Sequence, residues 1–163
     1  MKKVSDQDKL FYFERNFFTL DGFWMIVSEE FTDFDTALKI DLEVWQRLLK
    51  TIIKRIKRHL QIKSNDVQDI IDILSFRWSV EGWNYEIIEK NANEVMVKIN
   101  YCPYKAILER SERRKETLPL ICQGICTPLY NEAVKSFNSR IQVTMKKQMG
   151  FGGKNCEFLF KIT

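Results

Sequence analysis

Apolar residues recur every three or four positions from Asp6 to Phe31, at Leu10, Phe13, Phe17, Leu20, Trp24, Val27 and Phe31, which is the period of an amphipathic helix. A second long stripe runs through Leu38, Trp45, Leu48, Ile52, Ile56 and Leu60, with Asp33 or Asp35 placed to cap its start. Ser64 is expected to open a third helix through Val67, Ile70, Ile71 and Leu74, which ends near "SVEGW" with Gly82 at the exit. After Trp83 the period changes to two. "YEIIEK" and "EVMVKINYC" flank "NAN" and predict a hairpin with Val95, Val97, Ile99 and Tyr101 on one face, its turn using the left-handed conformation that Asn tolerates. "PYKAILERSERRK" predicts a short surface helix. "TLPLICQGICTPLYNEAVKSFN" predicts a longer helical stretch that Pro128 must kink or split, with Thr127 as a cap for its second part. "IQVTMKK" and "CEFLFKIT" alternate around the loop "QMGFGGKN" and predict a second hairpin, with Cys156, Phe158, Phe160 and Ile162 on a shared face.

Three helices, a hairpin, further helices and a hairpin, without βαβ alternation, predict an α+β fold: N-terminal helices plus an antiparallel sheet of four to five strands covered by helices on one side. At 163 residues the chain is expected to be a single domain, with a helical part over 1–82 and a strand-bearing part over 83–163. The 12 Phe, 5 Tyr and 4 Trp, against six Gly and three Pro, predict a compact interior and weigh against disorder.

The net charge of +4 is too mild to argue for nucleic acid. The basic runs "KTIIKRIKRHL" and "RSERRK" lack the interleaved aromatics of a single-strand platform and read as solvated faces. "GFGG" lacks the strand-to-helix context and Lys of a phosphate loop. Neither a secretory signal nor a membrane span stands out, so a cytosolic chain is the default expectation, and there cysteines stay reduced.

Little in the chain looks catalytic, since its one histidine, His59, lies in a basic run. Two features carry candidate chemistry. "CQGIC" sets Cys122 and Cys126 on one helical face, while Cys102 ends a strand and Cys156 begins one. Four converging thiolates would complete a tetrahedral metal site, but buried cysteines acting as small apolar residues explain the same spacing. The second feature is a pair of carboxylates, Asp21 in "TLDGFWMIV" and Asp41 in "LKIDLEVW", each inside an apolar stripe. A buried carboxylate requires a partner, either a functional one or a structural hydrogen bond from a Trp N–H or the backbone.

The region from about 84 to 163, with "KINYC", "LICQGIC", "IQVTMKK" and "GGKNCEFLF", resembles the 4-vinyl-reductase domain, a small-molecule-binding module related to haem nitric-oxide sensors and to Bet3 subunits of transport-tethering complexes. Over nearly the whole chain, "LDGFW", "ALKIDLEVW" and the "CP" after the strand resemble the archaeal and bacterial group near L-2-amino-thiazoline-4-carboxylate hydrolases. The resemblance implies zinc held by Cys102, Cys122 and Cys126. No glutamate stands three residues before either helical cysteine, so Cys156 or water would be the fourth ligand. The leading expectation is a small-molecule-binding domain whose aromatic or heterocyclic ligand sits between helices and sheet, with Trp24, Trp45 and nearby Phe residues lining the pocket and Asp21 or Asp41 reading a polar group. Two alternatives accompany that expectation. One is a zinc-dependent hydrolase of a C–N bond in a thiazoline-type ring, with Asp21 or Asp41 relaying the proton. The other is a Bet3-like interaction subunit, with which a homodimer is compatible.

Overall fold

The computed structural model describes residues 3–111 and 116–163, with all their side chains except those of Glu89 and Lys90. The expected surface run "RSERRK" therefore lies mostly outside the described residues. Along the chain come α1 (Asp6–Phe31), α2 (Phe34–His59), α3 (Val67–Val80), β1 (Asn84–Lys90), β2 (Glu94–Tyr101), α4 (Pro103–Arg110), α5 (Leu118–Ile121), α6 (Thr127–Phe137), β3 (Ile141–Lys147) and β4 (Cys156–Ile162). This is the expected α+β order. The chain divides into two compact units, Met1–Asp41 and Leu42–Thr163, so the division falls inside α2, whereas the pattern of periods places its internal line at residue 82.

In the N-terminal unit, α1 keeps the predicted bounds. Ser5 caps it by accepting from the Asp8 amide at 3.1 Å, while Asp8 accepts from the Ser5 amide at 2.8 Å. The expected buried stripe is not what the helix hides. Leu10, Phe13, Leu20 and Phe31 are exposed, and Met25 is the buried residue of α1. The physical reason lies in the sequence: Phe11, Tyr12, Phe18 and Phe23 occupy the other sides, so the helix is apolar all round and periodicity does not single out one face.

Asp33 caps α2, with its carboxylate accepting from the Thr36 amide at 2.9 Å. The buried line of α2 is Ala37, Asp41, Trp45, Leu49, Ile53 and Ile56. It shares Trp45 and Ile56 with the predicted stripe and is otherwise turned by about one residue. Residue 41, a carboxylate, thus sits in the middle of the buried line.

In the C-terminal unit, α3 starts at Asp66 rather than Ser64, because Asp66 and Asp69 cap each other, each side chain accepting from the other's amide at 2.9 Å. Gly82 ends the segment at φ 77°, a conformation that favours glycine. The sheet order is β1-β2-β4-β3, antiparallel throughout. The two hairpins are joined by pairing of β2 with β4, in the register Ile99↔Cys156, Val97↔Phe158 and Val95↔Phe160. Val95, Val97, Ile99, Phe158 and Phe160 are buried, and α3 and α6 pack on the sheet. The "NAN" turn is held by a side chain and not by left-handed backbone: Asn91 Oδ1 accepts from the amides of Asn93 and Glu94, both at 2.9 Å.

Between α5 and α6, Cys122–Cys126 forms one turn of π-helix. Pro128 cannot donate to the carbonyl four residues earlier, and the ladder slips by one residue over "CQGIC" before α6 resumes. Thr127 is helical and caps nothing; its hydroxyl donates to Met145 Sδ at 3.4 Å.

Candidate functional site

The four cysteines converge within the C-terminal unit. Cys102 ends the β2 segment and caps α4, its Sγ accepting from the Lys105 amide at 3.5 Å. Cys122 and Cys126 open and close the π-turn. Cys156 begins β4, and its Sγ accepts from the Met149 amide at 3.2 Å. A short 3₁₀ turn, Met149–Phe151, closes over the cluster, and its Gly150 lies so near Cys122 that a Cβ there would meet Sγ at 2.5 Å.

All four are free thiols, each with part of its surface open. Burial nevertheless dominates the sulfurs. It pushes the Cys102 thiol up to about 12, with neighbouring Cys156 and Cys122 acting in the same direction. It pushes Cys122 up to about 11, again with help from Cys156, and raises Cys126 well above the ordinary range, with Cys102, Cys122 and Cys156 adding. Cys156 is raised by burial, against the opposing Met149 amide and Lys105 charge.

A zinc site needs thiolates at tetrahedral spacing. Among the described residues, no group of three or more His, Cys, Asp or Glu side chains is arranged to hold a metal ion. The four sulfurs, as placed, are therefore not arranged as the zinc centre that the resemblance implies. They also lack the depressed pKa of a cysteine nucleophile.

Asp21, Trp24 and Asp41 fall in the N-terminal unit and Trp45 in the C-terminal unit. Trp24 is half-exposed. Asp41 is 9% exposed, and burial pushes its carboxyl up to about 7, with the Asp21 charge adding. Of the two candidate carboxylates, Asp21 thus lies near enough for its charge to act on Asp41.

Trp45 belongs to a cluster that sequence reasoning missed. Its ring meets Tyr104 edge-on at 5.4 Å, Tyr104 meets Trp83 at 5.8 Å, and Trp78 lies 6.3 Å from Trp83 and 6.2 Å from Tyr130. Among these rings lies the guanidinium of Arg77, 5.4 Å from the centroid of Trp45 and only 4% exposed. Arg77 Nε donates to Glu81 Oε1 at 2.7 Å, and the other oxygen of Glu81 accepts from Trp83 Nε1 at 3.0 Å. Trp78 Nε1 donates to the Tyr130 hydroxyl at 2.8 Å. Burial opposes the charge on Arg77, but Tyr130, Glu81 and Tyr104 outweigh it and keep the guanidinium protonated. Its Nη1 is buried without a hydrogen-bond partner. Trp83 and Tyr104 are half-buried, while Trp45, Trp78 and Tyr130 are buried.

The cysteines and this cluster adjoin, since the Arg77 charge acts on Cys126. One signal in the sequence points to Arg77. Continuing the buried line Ile70, Leu74 by one turn reaches residue 77, with Glu81 four positions on to neutralise it.

A model of the family described as "Family of unknown function (DUF6125)" matches residues 3–149. The chain belongs to that family. No curated protein matches it. Among solved structures, trafficking protein particle complex subunit 3 from Naegleria fowleri, covalently bound to palmitic acid, superposes with a TM-score of 0.62 at 16% identity, covering 92% of this chain and 95% of that one. The phenol-responsive sensory domain of the transcription activator PoxR, solved with phenol, gives a TM-score of 0.52 at 10% identity, covering 89% of this chain and 73% of that one. At these identities the likeness is one of fold. Among the described residues, no helix is long and apolar enough to cross a membrane.

Proposed function

We propose that this DUF6125 protein is a small-molecule-binding domain that takes an apolar, aromatic or heterocyclic ligand at the Arg77 cluster of the C-terminal unit. The observation that carries this reading is the five aromatic side chains gathered around one buried ion pair, an arrangement of apolar walls with a few fixed polar groups that suits such a ligand. The two solved proteins of like fold, one carrying palmitic acid and one phenol, agree with it. So does the 4-vinyl-reductase resemblance. Asp21 and Asp41 are left without a ligand role in this reading, and the thiols serve as packing. Zinc-dependent C–N hydrolysis draws no support from the placement of the metal-ligating side chains among the described residues.

The test is intrinsic fluorescence and thermal denaturation of the purified chain against phenol, indole, acetophenone and palmitate. At least one of these compounds raises the melting temperature and changes the tryptophan emission in a saturable way. If none of the four does either, the reading fails.

A second reading, a Bet3-like interaction subunit, is favoured by α1. Phe11, Phe13, Phe23 and Phe31 are 61–85% exposed, more apolar surface than one helix of a monomer ordinarily shows. In that reading α1 meets a second copy of the chain. Sedimentation at micromolar concentration gives a dimer, and Phe13→Glu together with Phe23→Glu gives a monomer; a wild-type monomer would exclude it.

A further inference from the structure

We infer that Arg77 is the specificity-determining residue of the proposed site, and that its free Nη1 reads a neutral hydrogen-bond-accepting oxygen, such as a carbonyl, on an aromatic ligand. This rests on the small-molecule reading above and names the class of ligand.

Three observations lead to it. A charged side chain 4% exposed has one buried nitrogen without a partner, in a cluster whose other polar contacts are made by Glu81, Trp83, Trp78 and Tyr130. A buried donor left unpaired is costly, more so on a charged group, so an acceptor is what this position lacks. Second, Glu81 already neutralises the guanidinium at 2.7 Å, and its two oxygens are both engaged. An anionic ligand would be a second carboxylate-like charge beside Glu81 in a poorly solvated interior, whereas a neutral carbonyl gains the hydrogen bond without that repulsion. Third, the guanidinium lies over the ring of Trp45, and the partly exposed members of the cluster are the aromatic side chains Trp83 and Tyr104, so the body of the ligand is aromatic and approaches beside them.

The experiment compares three probes of nearly equal size, acetophenone, isopropylbenzene and benzoate, by tryptophan fluorescence titration. Acetophenone is expected to bind about tenfold or more tightly than isopropylbenzene, the factor for a hydrogen bond to a charged donor, with benzoate weakest. In the double variant Arg77→Met, Glu81→Gln, which removes both charges and keeps an acceptor for Trp83, the acetophenone-to-isopropylbenzene ratio falls to within about twofold. A merely structural Arg77 would leave that ratio unmoved. If the double variant does not fold, Arg77→Lys, which keeps the charge but loses the forked donor, supplies the comparison and is expected to lower the ratio. Equal binding of acetophenone and isopropylbenzene by the wild type, or tightest binding of benzoate, overturns the inference while leaving small-molecule binding in place. Failure of all three probes, together with phenol, indole and palmitate, removes the binding reading itself.

Discussion

Arg77 and Glu81 face each other across one turn of α3, Nε to Oε1 at 2.7 Å, with side-chain exposures of 4% and 11%. Breaking such a pair from one side leaves an uncompensated buried charge, at a cost of about 3–5 kcal/mol. Glu81→Ala is therefore expected to lower the unfolding free energy by that amount. Glu81→Gln, which keeps an acceptor for Arg77 Nε or Trp83 Nε1, loses less. Urea unfolding of the two variants at pH 7 gives the comparison, and equal losses would mean that the charge carries the whole effect and the hydrogen bonds kept by the amide add nothing.

Asp41 gives the protein a pH dependence of defined sign. Its folded pKa is about 7, raised by burial and by Asp21, against roughly 3.9 in the unfolded chain. Below pH 4 both states hold the proton. Between pH 4 and 7 the unfolded chain releases it while the folded one retains it, so this group's contribution to stability falls as pH rises, by up to about 4 kcal/mol, and is constant above. Asp41→Asn is neutral throughout. Its stability relative to wild type should be near parity at pH 4 and climb to a plateau just above pH 7, as followed by urea unfolding across that range. Asp21→Asn removes the neighbouring charge and moves the midpoint down. A flat difference between Asp41→Asn and wild type would refute this assignment.

Much of this fold was legible because local signals were strong. The apolar recurrence from Asp6 to Phe31, the alternation of Val95, Val97 and Ile99, and Gly82 at the exit of the third helix marked elements close to their observed ends. The faces were harder. In α1, Phe and Tyr on every side erase the contrast on which a stripe depends. In α2 the buried line differs from the predicted one by about 100°, the angle of a single residue, since Leu48 and Leu49 are equally apolar neighbours. Convergence of the cysteines could be foreseen from a strand end, a helix face and a strand start, but the π-turn could not, because only the loss of the Pro128 donor hints at it. Arg77 went unnoticed because it looks like one more surface cation until its place on the α3 stripe is counted.

The account of the thiols makes its own prediction. With Cys102 and Cys122 raised to about 12 and 11, the folded protein should react slowly with a thiol-specific disulfide reagent at pH 7.5, and four thiols should titrate after unfolding in guanidinium. Elemental analysis of the same preparation should find no stoichiometric metal. About one equivalent of zinc, with thiols released only on chelation, would contradict the packing role.

Gly150 sits where a Cβ would lie 2.5 Å from Cys122 Sγ and 2.6 Å from its Cβ, so alanine there must push the 3₁₀ turn off the π-turn. Gly150→Ala should cost about 1–3 kcal/mol in thermal or urea unfolding and raise thiol reactivity. Gly152, at φ 83°, has nothing within 4 Å of such a Cβ, so Gly152→Ala should lose stability through backbone strain and leave the thiols as slow as before.

The most direct test of ligand binding at the Arg77 cluster is the set of indole N–H signals in a ¹H–¹⁵N spectrum, recorded while acetophenone is added to the ¹⁵N-labelled protein. The chain has four tryptophans. The account predicts saturable shifts of Trp45, Trp78 and Trp83, the three that surround Arg77, with Trp24 unmoved. Shifts confined to Trp24, or none while another probe binds, would contradict it.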